Sequence, residues 1–173
     1  SQLDSIPSTN LKDINNDPEK IIKLYIKKKK KNLTLLDFSK YSNLQYLSIK
    51  RNNLTEIPPS IFSLTQLQVL DLSNNTIDKI PKEITQLKHL KILSLGQNNI
   101  SQIPNEINQL TELTSLDLWS NLINEIPSTA ATMDKLQTID LRMIEISQLK
   151  QNEIKDKYPS IDFKFSYSCN CGN

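Results

Sequence analysis

The sequence predicts an α/β solenoid, a stack of short coils that each give one strand to a parallel sheet. Three observations predict it. A 23-residue unit begins at Leu44 and begins again at Leu67, Leu90, Leu113 and Leu136. Apolar residues recur in register, as Leu67, Leu70, Leu72, Ile77, Ile80, Ile84 and Leu87 in one copy and Leu90, Leu93, Leu95, Ile100, Ile103, Ile107 and Leu110 in the next. Asparagine and proline each keep a column of their own through the same copies. A fixed period of about 20 to 29 residues with this apolar pattern marks repeats that stack into a solenoid.

One unit cannot bury its own leucines, so coils stack and each leucine packs on its equivalents above and below. The stretch Leu67 to Leu72 suits a short strand with Leu70 and Leu72 inward and Asp71 and Ser73 on the concave face. Asn52, Asn75, Asn98 and Asn121 form a structural ladder: an amide inside the coil offers donors and an acceptor to backbone groups freed where the strand turns. Asn53, one residue beyond the ladder, is expected to be dispensable. Pro58, Pro81, Pro104 and Pro127 suit the first position of a short helical turn, and Glu83 and Glu106 follow near its N-terminus. Helical or 3₁₀ turns, with no long helix, are therefore expected on the convex side.

Composition removes several function classes. Two glycines, with no G-x-G-x-x-G and no G-K-[ST], leave no phosphate-cradling loop. Lys plus Arg is 21 against 19 for Asp plus Glu, a balance that gives no general case for nucleic acid. No apolar run approaches the roughly 18 residues that span a bilayer. The chain opens on Ser1, which reads as a processed or trimmed start, so any signal peptide lies outside it and the compartment stays open. Nothing in the sequence implies a cofactor.

Three segments are expected: a leader with a capping helix over 1–32, the repeats over 33–146, and a C-terminal cap over 147–173. Asp17-Pro18-Glu19 resembles a helix start, and Ile21, Ile22, Leu24, Tyr25 and Ile26 extend it into a helix over about 18–30. Lys27, Lys28, Lys29, Lys30 and Lys31 alone set the sign of the net charge. They read either as a solvated helix end or as a contact for anionic lipids or glycans. Leu33 to Phe38 leads into Leu44 as a degenerate first coil, two residues short. The fifth unit departs from the pattern, with Ile144 at the ladder position and Lys150 at the proline position, and reads as a cap. Ser147 to Lys157 then reads as a helix with Ile146, Leu149, Ile154 and Tyr158 on one side, stopped at Tyr158-Pro159. Ile161, Phe163, Phe165 and Tyr167 alternate with polar residues as an edge strand.

With the ladder, the I-P step and the I-x-x-L ending in view, the chain resembles the bacterial leucine-rich repeat proteins of the 23-residue type, spirochaete members most of all. The resemblance covers about residues 33 to 158. It implies a curved solenoid that binds a protein partner on its concave face, often from the cell surface or after secretion. That setting would make it a surface or secreted bacterial protein engaging host proteins, with a possible association with virulence. Some bacterial relatives carry a ubiquitin-ligase domain with a catalytic cysteine, but too little chain follows the capping helix for Cys169 or Cys171 to inherit that role.

The candidate site lies on the concave face, and no catalytic residue is expected. His89 is the only histidine, and nucleophilic chemistry needs a base held by a third group. Cys169-Asn170-Cys171 has the wrong spacing for a redox pair or a zinc knuckle and reads as a tail, metal capture being the weaker alternative. Outward positions three, five, seven and eight supply Tyr46, Lys50, Arg51, Asp71, Asp117, Trp119, Asp140, Arg142 and Met143. The aspartates at position five read equally well as a solvated column. Trp119 is the only aromatic residue between Leu67 and Lys135, and Gly96 beside it is expected to leave bare backbone for a partner's side chain. The alternative function is an envelope protein attached to glycans or lipids through the Lys27–Lys31 run.

Overall fold

The computed structural model describes residues 9–10, 17–26 and 36–166. Eight strands among these residues form one open sheet in chain order: β1 Thr9–Asn10, β2 Lys23–Tyr25, β3 Tyr46–Ser48, β4 Val69–Asp71, β5 Ile92–Ser94, β6 Ser115–Asp117, β7 Thr138–Asp140 and β8 Asp162–Lys164. Every pairing is parallel, and from β2 to β7 each residue pairs with the one 23 further on. The predicted solenoid is the observed one. Leu67, Leu70, Leu72, Leu90, Leu93 and Leu95 have no exposed surface, because coils above and below cover them. At about 25 cal/mol per Å² of apolar area removed from water, such columns supply the main force that holds the stack together.

The asparagines bond across coils. Asn75 Oδ1 accepts from the backbone N–H of Asn52 and Leu54, both at 3.0 Å, in the coil before. Asn75 Nδ2 donates to Ile49 O at 3.0 Å and Leu72 O at 2.8 Å. Asn98 repeats this with Ile77 N, Leu72 O and Leu95 O, and Asn121 with Ile100 N, Leu95 O and Leu118 O. One side chain thus closes its own turn and ties it to its neighbour. At the N-terminal end Asn52 Nδ2 reaches Ile26 O and Lys50 O, while its buried Oδ1 has no partner among the described residues.

The far side of each coil is a 3₁₀ turn, at Pro59–Ser63, Lys82–Gln86, Asn105–Gln109 and Ser128–Thr132. The column prolines sit one place earlier than expected. Pro81, Pro104 and Pro127 are extended, and their carbonyls accept the first N–H of the turn, as Pro81 O does from Ile84 N at 3.1 Å. Proline suits this place because its fixed φ is compatible with extended backbone and its missing N–H is not needed there.

The N-terminal expectation fails. No helix spans 18–30: Pro18–Lys20 is a single 3₁₀ turn, and β2 follows at once. Ile21, Leu24 and Ile26 are buried in the core, and Leu24 pairs with Leu47. Phe38 and Tyr41 are buried with Phe38 O accepting from Tyr41 N and Tyr41 O from Leu44 N. The bonds between Ile84, Leu87 and Leu90 follow the same spacing. Ile21 and Leu24 therefore hold the places that Leu44 and Leu47 hold 23 residues on. Stacking on β3 outweighs the local helix signal, since an isolated short helix is marginal without a packed face. Lys27 to Lys31 and the start of the expected short coil lie outside the described residues, as do Tyr167, Cys169 and Cys171.

The C-terminal cap is an α-helix, α1 (Gln148–Lys157), with the Ser147 hydroxyl accepting from Lys150 N. Its inward stripe is Gln151, Ile154 and Tyr158, at spacings of three and four, with Ile146 partly buried beside it. Leu149 is 78% exposed, contrary to expectation, because two residues before Gln151 is the opposite side of a helix. The Tyr158 hydroxyl reaches Ile126 O at 3.0 Å and Pro127 O at 3.2 Å, which ties the cap to the convex side of the preceding coil. β8 then pairs with β7 and buries Ile161 and Phe163 while Asp162 and Lys164 stay exposed.

Asn98→Ala leaves the Ile77 N–H without its acceptor and takes one of two amide donors from each of the Leu72 and Leu95 carbonyls, and should cost about 1–3 kcal/mol, read from urea midpoints at constant slope. Asn53 is an unsuitable control, since at φ 55° it holds left-handed backbone that asparagine tolerates better than alanine. Asn99, exposed and next to the ladder, is the control: Asn99→Ala should be nearly silent, and equal midpoints for the two variants would refute the ladder's role.

Candidate binding site on the open face of the sheet

Each coil leaves the sheet by the same bend. The residues at position eight, Arg51, Asn74, Gln97, Ser120 and Met143, all have φ between 53° and 60°. Only asparagine among these is at ease there, and the others cost roughly 1–2 kcal/mol each. Hydrogen bonds hold the bend. Asn74 N donates to Gly96 O, Gln97 N to Trp119 O and Ser120 N to Arg142 O, at 2.7–2.8 Å. At the last coil the Ser166 hydroxyl accepts from Met143 N at 2.7 Å in place of a backbone carbonyl.

The aspartates of position five brace the same bend. Asp71, Asp117 and Asp140 accept through Oδ1 from the backbone N–H two residues on, in Ser73, Trp119 and Arg142. An aspartate that caps its own turn has a structural reason to recur. The column reads as bracing first, and a binding role would use only the carboxylate edge left over.

The expected site residues separate into two groups. At the N-terminal end Tyr46 packs on Tyr25, ring centroids 4.9 Å apart, with Lys23 Nζ 5.0 Å from the Tyr46 centroid. Burial, then the hydrogen bond with Tyr25, pushes the Tyr46 hydroxyl well above the usual tyrosine range. Lys50 Nζ lies 3.7 Å from Asp71 Oδ2, and Arg51 is exposed. Lys23 and Tyr25 were missed as face residues because their stretch reads as helix. The 23-residue offset from Tyr46 to Lys23 was the available signal.

Three strand spacings away, about 14 Å, is the second group. Trp119 and Arg142 occupy position seven of adjacent coils, with Met143 next to Arg142. Together with Phe165 and Ser166 they line a groove of about 620 Å³. Trp119 corrects the expectation for Gly96. A Cβ on Gly96 would lie 2.9 Å from Trp119 Cε2 and closer still to Nε1 and Cδ1, so the indole itself covers the bare backbone. No partner side chain is needed to fill it. Met143 is 70% exposed. Phe165, assigned inward from its alternation, is only partly buried and stacks on Phe163, so one side of it reaches the groove.

Arg142 is locked to Asp140. Its Nε lies 2.9 and 3.0 Å from the two carboxylate oxygens, and its Nη2 lies 2.6 Å from Oδ2. Burial pushes the Asp140 carboxyl up, but the bonds and charge of Arg142 outweigh it and hold the carboxyl below the usual range. Asp117 goes the other way: burial pushes it up, against the Trp119 N–H bond, which pulls it down.

This geometry, stacked leucine coils with an asparagine ladder and a single open sheet, is that of the leucine-rich repeat class. The leucine rich repeat family model matches residues 42–100 and 79–123. A leucine-rich repeat protein of Leptospira interrogans superposes with a TM-score of 0.69 at 35% identity, over 73% of this chain and 32% of that one. Internalin C2 of Listeria monocytogenes superposes with a TM-score of 0.70 at 22% identity, over 88% of this chain and 66% of its own, which bears on the fold alone. The ectodomain of the Arabidopsis thaliana receptor kinase GASSHO1/SCHENGEN3, in complex with Casparian strip integrity factor 2, superposes with a TM-score of 0.59 at 34% identity, over 72% of this chain and 16% of its own. No curated protein shows a significant match. The chain is a leucine-rich repeat protein of the bacterial kind, and it spans about a third of the length of the Leptospira protein.

The two aspartates give opposite titrations. Asp140 should titrate below the ordinary aspartate range in carboxyl-detected NMR, and Asp117 above it. The lowered Asp140 adds stability above the unfolded-state value that is lost as pH falls through the folded one. Arg142→Met removes the guanidinium bonds and charge that lower Asp140, while the backbone N–H bond and Lys164 still act against burial, so its midpoint should rise. An unchanged midpoint would show that the pair does not persist in solution.

Proposed function

We propose that this chain is a non-enzymatic protein-interaction module whose partner docks on the open face of the sheet, centred on Trp119. The observation that carries the reading is the groove of about 620 Å³ between Trp119, Arg142, Met143, Phe165 and Ser166. Its volume falls in the range of ligand clefts, about 300–1,000 Å³. Tryptophan and arginine are the residue types most enriched at binding hot spots. The Arabidopsis ectodomain, bound to Casparian strip integrity factor 2, supports a polypeptide partner for a sheet of this class. A surface or secreted bacterial setting follows from the family resemblance alone.

The test is affinity capture with wild type, Trp119→Ala and a convex-side control, Glu83→Lys, each checked for its fold by circular dichroism. Proteins retained at physiological salt by wild type and control, and lost at least tenfold with Trp119→Ala, support the reading. Retention indifferent to Trp119, or collapsing as salt rises from low to physiological, overturns it in favour of a polybasic attachment.

A further inference from the structure

Resting on that reading, the geometry points to a partner segment that presents a carboxylate beside a bulky apolar side chain. The carboxylate meets the free edge of the Arg142 guanidinium, and the apolar group lies between Trp119 and Phe165. Arg142 spends Nε and Nη2 on Asp140, while Nη1 has no acceptor among the described residues. The bidentate bond fixes the plane of the guanidinium, so the free Nη1 edge is aimed before any partner arrives. Planar, pre-set guanidinium donors suit carboxylates.

Charge around the groove favours an acid. Lys155 Nζ lies 5.5 Å from the Phe165 centroid, and Lys164 is close enough to Asp140 to lower its titration. With Arg142 that makes three cations around the groove against two carboxylates, Asp140, which Arg142 neutralises, and Asp117, whose charge also reaches Arg142. Asp162 lies at the other end of β8, and Asp117 is capped on the Trp119 N–H. A basic peptide would meet like charge here.

The apolar half is preorganised by Gly96. Any side chain at Gly96 would strike the indole, so glycine is what lets Trp119 lie down on the sheet as a half-buried shelf. The shelf is then set before binding, which removes an ordering cost. Met143, unbranched and exposed beside it, adapts to the shape of the entering side chain. Gly96 is thus a positioning residue for the site, acting through Trp119.

Trp119 is the only tryptophan of the chain, so its fluorescence reports on this groove directly. The experiment pans a phage-displayed library of random peptides on the full chain, then synthesises the consensus peptide and its Asp/Glu→Asn/Gln version. We expect a consensus with Asp or Glu adjacent to Leu, Ile, Phe or Trp, a shift in Trp119 emission on binding, and at least tenfold weaker binding of the amide version. Arg142→Gln should abolish that tenfold difference, and Gly96→Ala should red-shift the free protein's emission and weaken both peptides. A neutral or basic consensus that still shifts Trp119 emission refutes the carboxylate and leaves the groove as the site. Peptides that bind without changing the emission and ignore Trp119→Ala, or no enrichment at all, refute both. Should Gly96→Ala fail to fold, Arg142→Gln with the peptide pair decides alone.

Discussion

The interaction on which the rest of this structure depends is the bond set of a buried asparagine amide with two neighbouring coils. Asn75, Asn98 and Asn121 are each less than a tenth exposed, and each satisfies groups in its own turn and in the coil before it. Leucine stacking supplies more energy but tolerates sliding, because one apolar contact resembles another. The amide does not tolerate it. Its acceptor must meet one particular N–H and its donors particular carbonyls, or buried polar groups go unpaired. The ladder thus converts a sticky stack into one with a fixed 23-residue register.

From that register follows the character of the open face. Position eight bends left-handed in each of the five coils from Leu44 on, position five can cap the bend, and position seven is presented outward between them. Position seven is where sequence varies most usefully: Lys50, Ser73, Gly96, Trp119 and Arg142 run along one row. The scaffold holds that row still, and chemistry is chosen residue by residue. Gly96 and Trp119 show how adjacent choices couple, since the small one makes room for the large one to lie flat.

The repeats were legible because the same residue type recurs wherever the same physical need recurs. The columns of leucine, asparagine and proline each announce a packing or hydrogen-bonding place, so strands, 3₁₀ turns and ladder all followed. The failures fall where one copy deviates. Ile21, Leu24 and Ile26 hold the leucine places of a coil, but Asp17-Pro18-Glu19 and the lysine run give a local helix signal that outvoted a match 23 residues from Leu44. Leu149 was assigned inward because it is apolar, although Gln151 holds the buried place, its amide satisfied by Ile146 O at 2.9 Å. The groove was half legible. Trp119, Arg142 and Met143 could be placed on the face by counting, but Phe165 looked like a core residue. That Trp119 covers Gly96 depends on a rotamer, which no spacing reveals.

The most direct test of this account is native-state hydrogen exchange of the amides that donate to ladder side chains, those of Leu54, Ile77 and Ile100. If the ladder fixes the register, these amides exchange only through opening of the whole stack, with free energies equal to that of global unfolding. Exchange several kcal/mol easier than global unfolding, at the level of frayed segments, would show that the coils hold their register without the ladder.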